Sequence, residues 1–396
     1  MVPRRGATIG APLPRIFSRS VSNYFHYRQG EVAARINLLS LPGFIGHYSS
    51  RVNRPYNEDR YSASVLKLPR GSTFAPRSLR KGMSAERQVF NFAVYDGHGS
   101  DECSEFLKDK LASYVEKADL KDADDIATKY KDRFGGYWRR WKQMDKYRGR
   151  MSPYDDFQLR LPLAFLEADY DFEGKGGSTC TSVFLYCRHV AHSEAGPLPP
   201  GAEDNMFDAE NDLSLVVAHV GDTRCIICDS NGEATPLTID HHPSAPTEAD
   251  RLRRFASSFF MDSFGEERFG VFANTRAFGD TLMKAKGVSA EPDVREIALQ
   301  DEQFLVLVSD GVSGDVSDQE IVDLVTITAN SSGSGRGSPQ QAAQEVVEYA
   351  AALGGSDNAT CMVIRLRGWG NGSQVDRTGE LREYRLKNVD SRGGRM

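Results

Sequence analysis

Four short apolar runs, each beside an acidic turn, organise this chain. Phe90–Tyr95 leads into Asp96, Leu213–Val220 into Gly221-Asp222, Phe304–Val308 into Ser309-Asp310, and Thr360–Leu366 follows Asp357. Short runs rich in Val and Phe predict strands buried on both faces. Helical patterns lie between them. Asp101 and Glu102 suit a helix N-terminus, with Leu107, Leu111, Tyr114 and Val115 on one face. Ser317 and Glu320 form a capping box before Ile321, Leu324 and Val325, and a further helix over 342–353 stops at Gly354-Gly355. Phe134, Tyr137, Trp138 and Trp141, inside a basic stretch at 129–150, fall at the spacing of one helical face. That stretch reads as a helix docked on the core, or as a docking element for an acidic partner or an anionic membrane surface. Residues 193–212, rich in Pro and acids, predict a long hairpin loop; 330–339 predict a flexible linker, and the polar tail from 368 predicts little order.

Charge sharpens the domain picture. Residues 1–57 hold eight arginines, no lysine and one acid, Glu31, a net +7 within a chain whose total is −6. The first thirty residues combine Arg4, Arg5, Arg15, Arg19 and Arg28 with hydroxyl side chains and no carboxylate. This is the composition of a mitochondrial presequence, and a basic leader with no address is the other reading. Residues 1–37 are therefore assigned to the leader, 38–367 to one folded domain with insertions near 129–150, 193–212 and 330–339, and 368–396 to the tail. The expected compartment is the mitochondrion, the matrix rather than the intermembrane space, with a cytoplasmic location as the alternative. No apolar run approaches the ~20 residues of a membrane span, the mild acidity disfavours nucleic acid as a partner, and six scattered cysteines suit a reducing compartment.

The acids at the strand tips carry the chemistry. Asp96 sits in Asp96-Gly97-His98-Gly99 and Asp310 in Ser309-Asp310-Gly311, where glycine allows close approach of backbone to an ion. Clustered carboxylates repel one another in a cleft unless cations neutralise them, and oxygen donors without Cys or His pairs select Mg²⁺ or Mn²⁺. Two such ions about 3.5–4 Å apart lower the pKa of a shared water and produce a hydroxide for in-line attack on phosphorus. Arg54 is the candidate phosphate cation, because guanidinium grips phosphate oxygens bidentately. His98, the one histidine beside the acidic cluster, is the candidate general acid. No G-x-S-x-G elbow and no G-x-x-x-x-G-K-[ST] loop is present.

At these residues the chain resembles the metal-dependent protein phosphatases of type 2C (the PPM family). The matching segments are RPYNEDRY (54–61), FAVYDGHGS (92–100), GGSTCTSVFL (176–185), VAHVGDTR (217–224), TIDHHPSAPTEADRLRR (238–254), TRAFGD (275–280), VSDGVSGDVSDQEI (308–321) and GGSDNATCMVI (354–364). The resemblance implies an α+β fold, a four-layer α-β-β-α sandwich of two antiparallel sheets flanked by helices. It implies a protein serine/threonine phosphatase acting on phosphoserine and phosphothreonine proteins, the alternative being an inactive relative that serves as a binding module. Carried over by position, Asp96, Gly97, Asp310 and Asp357 are direct metal ligands, Glu58 and Asp59 hold metal through water, Arg54 binds phosphate and His98 donates the proton. Asp222 matches a third metal site, which Gly314, standing where the family has Asp, leaves weak or empty. SVSNYFHY (20–27) and residues 41–61 are similar to fungal mitochondrial members. Some of those act on the pyruvate dehydrogenase complex, which becomes an expected substrate. Within TRAFGD, Arg276 and Asp280 read as structural. Cys225 and Cys228 read as core residues on opposite strand faces, His219 as a satisfied core residue, and His241 and His242 as structural or surface residues.

Overall fold

Alternation inside the apolar runs gives each strand two buried faces. In Phe304–Val308, Phe304, Val306 and Val308 point one way and Leu305 and Leu307 the other. The computed structural model describes residues 23–29, 32–69, 86–142, 157–189, 212–252, 259–261, 267–269, 273–331, 337–373 and 375–393. Two five-stranded antiparallel sheets form its centre. The first runs in the order Asp293–Ala298, Asp212–Val220, Cys180–His189, Glu86–Tyr95, Arg60–Pro69. The second runs Ala234–Pro236, Arg224–Cys228, Phe304–Val308, Ala359–Arg365, Ile45–Ser50. Between them Val65, Phe92, Val94 and Val217 of the first sheet meet Ile227, Leu305, Leu307 and Met362 of the second.

Helices close both outer faces. Glu102–Lys117 and Phe157–Asp171 lay Leu107, Leu111 and Leu163 over Ala93, Phe184 and Val216. Asp318–Asn330 and Pro339–Ala352 cover Val306 and Val363 with Ile321, Val325 and Val346. This is the expected α-β-β-α sandwich. Each fully buried Val, Leu or Phe contributes about 1.5–3 kcal/mol, so the three apolar layers dominate stability. The Ser317–Glu320 capping box is formed in both directions. The helix expected from 342 starts earlier, because Pro339 suits a first turn and the Ser338 hydroxyl caps the Gln340 N–H. Cys225 faces the inter-sheet core and Cys228 the helical side. Among the described residues no helix is long and apolar enough to cross a membrane.

Three expectations are corrected. The aromatic segment is not one helix: Ala123–Phe134 ends at Gly135 (φ 59°) and Gly136 (φ 47°), and a tight turn over Gly136–Arg140 follows. A Cβ at Gly136 would meet the Ala285 carbonyl at 2.0 Å, so this glycine is required. Tyr137, Trp138 and Trp141 are nevertheless buried, with Trp141 Nε1 donating to Glu291, while Arg139 and Arg140 stay exposed. Second, the leader gives way to structure before residue 37, since Tyr24–Gln29 and Val32–Asn37 pair as a hairpin. Third, the tail is organised. Trp369 is buried against Phe304, and Gly379–Gly393 is a helix whose Arg385 pairs with Glu320. Residues 1–22, 143–150 of the basic stretch, the loop 193–211, 332–336 of the linker, and 374 and 394–396 of the tail lie outside the described residues.

Candidate active site

Strand register gathers the acids. Arg60 pairs with Tyr95, Cys180 with Val220, Arg224 with Val308, and Val308 with Cys361. The residues just beyond these pairs, Asp59, Asp96, Asp222, Asp310 and Asp357, therefore emerge at one end of the sandwich. Carboxylate oxygens of Asp96, Asp222 and Asp310 all lie within 4.8 Å of one another. The Asp310 N–H donates to Asp96 at 3.4 Å, and Asn274 donates to Asp222 at 2.7 Å.

Around this trio stands a supporting set. Asp59 accepts from Ser309 and Thr360, each at 2.7 Å, yet its buried Oδ1 has no protein partner. The Glu58 N–H donates to Asn358 at 2.7 Å, and its carbonyl accepts from the Ser104 hydroxyl at 2.6 Å. A Cβ on Gly97 would lie 2.5 Å from that carbonyl, which explains a glycine beside Asp96. Asp357 turns to Arg54, whose guanidinium donates to it at 2.7 Å and to the Ser356 carbonyl at 3.2 Å. The compact trio thus contains Asp222, while Asp357 leans on the arginine at its rim.

Electrostatics confirm crowding. Loss of solvent, then the charges of Asp310, Asp59 and Asp222, hold the Asp96 carboxyl well above the usual range. Burial and Asp310 push Asp222 up to about 7. Burial raises Asp59 to about 6 against the hydrogen bonds of Thr360 and Ser309, and burial with the Asp357 charge takes Asp310 to about 6. An all-oxygen donor set, mutual repulsion and an orphaned buried carboxylate oxygen fit hard divalent cations such as Mg²⁺ or Mn²⁺.

His98 stands beside this cluster, its Nε2 2.8 Å from the Asp280 carboxylate. Desolvation lowers its pKa, but the bond to Asp280 and that carboxylate's charge leave it raised. Asp280, read from the sequence as structural, thus contacts the candidate general acid. Arg276 does fit that reading: it pairs with buried Glu248 at 2.6 Å and with Asp293 at 2.9 Å. Glu248 also binds Arg251, and after its burial the two arginines hold its carboxyl far below the usual range. Glu248→Gln should leave two buried guanidinium groups short of charge and cost about 3–5 kcal/mol in urea unfolding. A midpoint unchanged from the parent would refute that ranking. Because the pKa is depressed, this contribution is present above about pH 4 and is lost on further acidification. His241 accepts from the Gly221 N–H and meets Asp293, and its ring stacks on buried His219, whereas His242 meets Ser244.

Sequence reasoning passed over several contributors. Ser309 and Asn358 sit next to motif acids, so adjacency was a usable signal. Thr360, Asn274 and Ser104 carried none, because only the fold brings them to Asp59, Asp222 and Glu58.

Comparison with known proteins agrees with this geometry. The family described as Protein phosphatase 2C matches residues 191–359. Protein phosphatase 2C homolog 4 of Schizosaccharomyces pombe is 34% identical, over 92% of this chain and 91% of its own length. "Protein phosphatase 1K, mitochondrial" of Xenopus laevis is 30% identical, over 87% of this chain and 72% of its own. Among solved structures, a phosphatase from Toxoplasma gondii shares the fold, with TM-score 0.55 and 20% identity over 88% of this chain and 95% of that one. The carboxylate cluster at the strand ends, on a sandwich of this design, accords with these likenesses: the chain belongs to the protein phosphatase 2C family, the metal-dependent protein serine/threonine phosphatases.

Proposed function

We propose that this phosphatase works with two divalent ions, Mg²⁺ or Mn²⁺, held directly by Asp96, the Gly97 carbonyl, Asp310 and Asp357 and through water by Glu58 and Asp59. The reading is supported by Asp96 and Asp310, whose carboxylate oxygens lie within 4.8 Å of each other and of Asp222, beside Asp357, which holds Arg54 at the rim. When bound, the ions supply charge neutralisation and an activated water for attack on phosphorus. Asp222 adds a carboxylate that holds no tight third ion, since Gly314 stands where the family pattern places an Asp.

The chain's residues do the rest. Arg54, half exposed and already hydrogen-bonded on one edge, presents a planar donor array suited to the phosphate oxygens of the substrate. His98 gives a proton to the departing seryl or threonyl oxygen as the P–O bond breaks. Attack by water forms no phosphoenzyme. Arg54→Ala is expected to lower kcat/KM on a phosphothreonine peptide about a hundredfold, with Arg54→Lys recovering part of the loss. Unaltered steady-state kinetics in Arg54→Ala would remove the arginine from this role.

Its substrates are phosphoserine and phosphothreonine proteins of the mitochondrial matrix, the pyruvate dehydrogenase complex among them. The arginine-rich, acid-free opening and the likeness to a relative named as mitochondrial support the compartment. The substrate rests on family resemblance alone. Comparing matrix phosphoproteomes with and without the protein tests both: accumulation of phosphosites on that complex is expected, and an unchanged matrix with altered cytosolic sites would contradict the proposal.

A further inference from the structure

We propose that Asp280 is the positioning residue of His98, fixing the imidazole by accepting its Nε2–H across a gap left open by Gly177. The inference rests on His98 being the proton donor, as proposed above. It begins with a three-stranded ladder in which Gly177–Ser178 pairs with Gly97–His98 on one side and Phe278–Gly279 on the other. Gly177 lies directly opposite both His98 and Gly279. Its missing side chain is what lets the ring and the carboxylate meet. A Cβ built there would lie 2.5 Å from His98 Nε2 and 2.5 Å from Asp280 Oδ2.

Asp280 also adopts an uncommon backbone, with φ 47° and ψ 44°. A left-handed backbone is uncommon outside glycine, with Asp and Asn among the residues that adopt it, and it persists where the surroundings hold it. Here they do. The Asp280 N–H donates to the Gly176 carbonyl, and the Gly279 N–H donates to buried Asp169 at 2.7 Å. Asp169 is anchored in turn by Lys284 at 2.7 Å and by the Tyr130 hydroxyl. The ordinary role for Asp at this place is to cap the following turn, Thr281–Lys284, yet its side chain makes no capping hydrogen bond. It is spent on His98 instead, and only 6% of it is exposed.

The consequence is geometric. With Nε2–H committed to Asp280, the imidazolium gives up the proton on Nδ1. That N–H bond breaks as the O–H bond of the leaving alcohol forms, the leaving oxygen keeps the electron pair of the P–O bond, and His98 is left neutral with hydrogen on Nε2.

The test uses the full-length Mg²⁺ enzyme with two substrates of unequal leaving group. A phosphothreonine peptide needs the general acid, and p-nitrophenyl phosphate needs it far less. Asp280→Asn is the chosen variant because Asn tolerates the left-handed backbone. It should lower the ratio of peptide to aryl-phosphate kcat about tenfold or more, and should subtract nothing further in a His98→Ala background. Gly177→Ala, which wedges the pair apart, should reproduce the ratio. Nitrogen NMR should find Nε2 of His98 protonated in the parent and the two tautomers mixed in Asp280→Asn. Equal losses on both substrates, additive losses with His98→Ala, or an unaltered tautomer would overturn the proposal. If His98→Ala itself treats both substrates alike, the proton-donor reading fails, and the NMR arm separately decides whether Asp280 orients the ring.

Discussion

Asp96→Asn should reduce kcat/KM on a phosphothreonine peptide by about three orders of magnitude or more, while making the metal-free protein harder to unfold. The two effects have one cause. Asp96 sits among Asp310, Asp59 and Asp222 with little solvent to screen them, and its carboxyl is held well above the usual range. That arrangement is unfavourable for the bare protein and favourable for divalent cations. An amide of the same shape keeps the acceptor for the Asp310 N–H but removes one charge from the cluster. Loss of metal-derived stabilisation worth several kcal/mol corresponds to about a thousandfold or more in rate. Relief of repulsion should appear as a higher melting temperature in EDTA. A variant both inactive and less stable without metal would mean that Asp96 serves packing rather than charge.

The second large effect is a reversal in how stability depends on pH. Asp59 and Asp310 are raised to about 6 and Asp222 to about 7, each chiefly by burial. Their folded-state values exceed the ordinary carboxylate value near 3.9. The folded protein therefore binds more protons than the unfolded chain between about pH 4 and 7, and stability falls as pH rises through that window. Each retained proton contributes about 1.4 kcal/mol per pH unit. In EDTA the melting temperature should thus decline from pH 5 to pH 7.5. With excess Mg²⁺ or Mn²⁺ it should be flat or rise, because bound cations favour the ionised carboxylates and stabilise by mass action. The Glu248 and Asp293 ion pairs act oppositely, but only below about pH 4, since their carboxyls are depressed. Parallel pH profiles with and without metal would contradict this account.

Much of the architecture was legible because the relevant signals were local. Apolar runs such as Phe304–Val308 and the acids at their ends are adjacent in sequence, and strand register then brings the ends together. The capping box at Ser317 is likewise a four-residue signal. What escaped depends on distance. The terminal helix is polar along its length and shows no apolar stripe, and it is tied down by Arg385 on Glu320 and by Asp323 accepting from Arg377 and Thr378. Such pairings cannot be chosen from the sequence of the tail. The aromatic spacing around Trp138 suggested a continuous helix, but Gly135-Gly136 permits the tight approach to Ala285 that ends it. The meeting of His98 with Asp280, 182 residues apart, needed the ladder through Gly177 to become visible.

The most direct examination of the metal centre is anomalous diffraction at the manganese edge from crystals equilibrated with Mn²⁺. Two peaks touched by Asp96, one shared with Asp310 and Asp357, are expected, and both should disappear in crystals of Asp96→Asn. Well-ordered Asp96, Asp310 and Asp357 side chains with no manganese peak between them would contradict the two-metal reading.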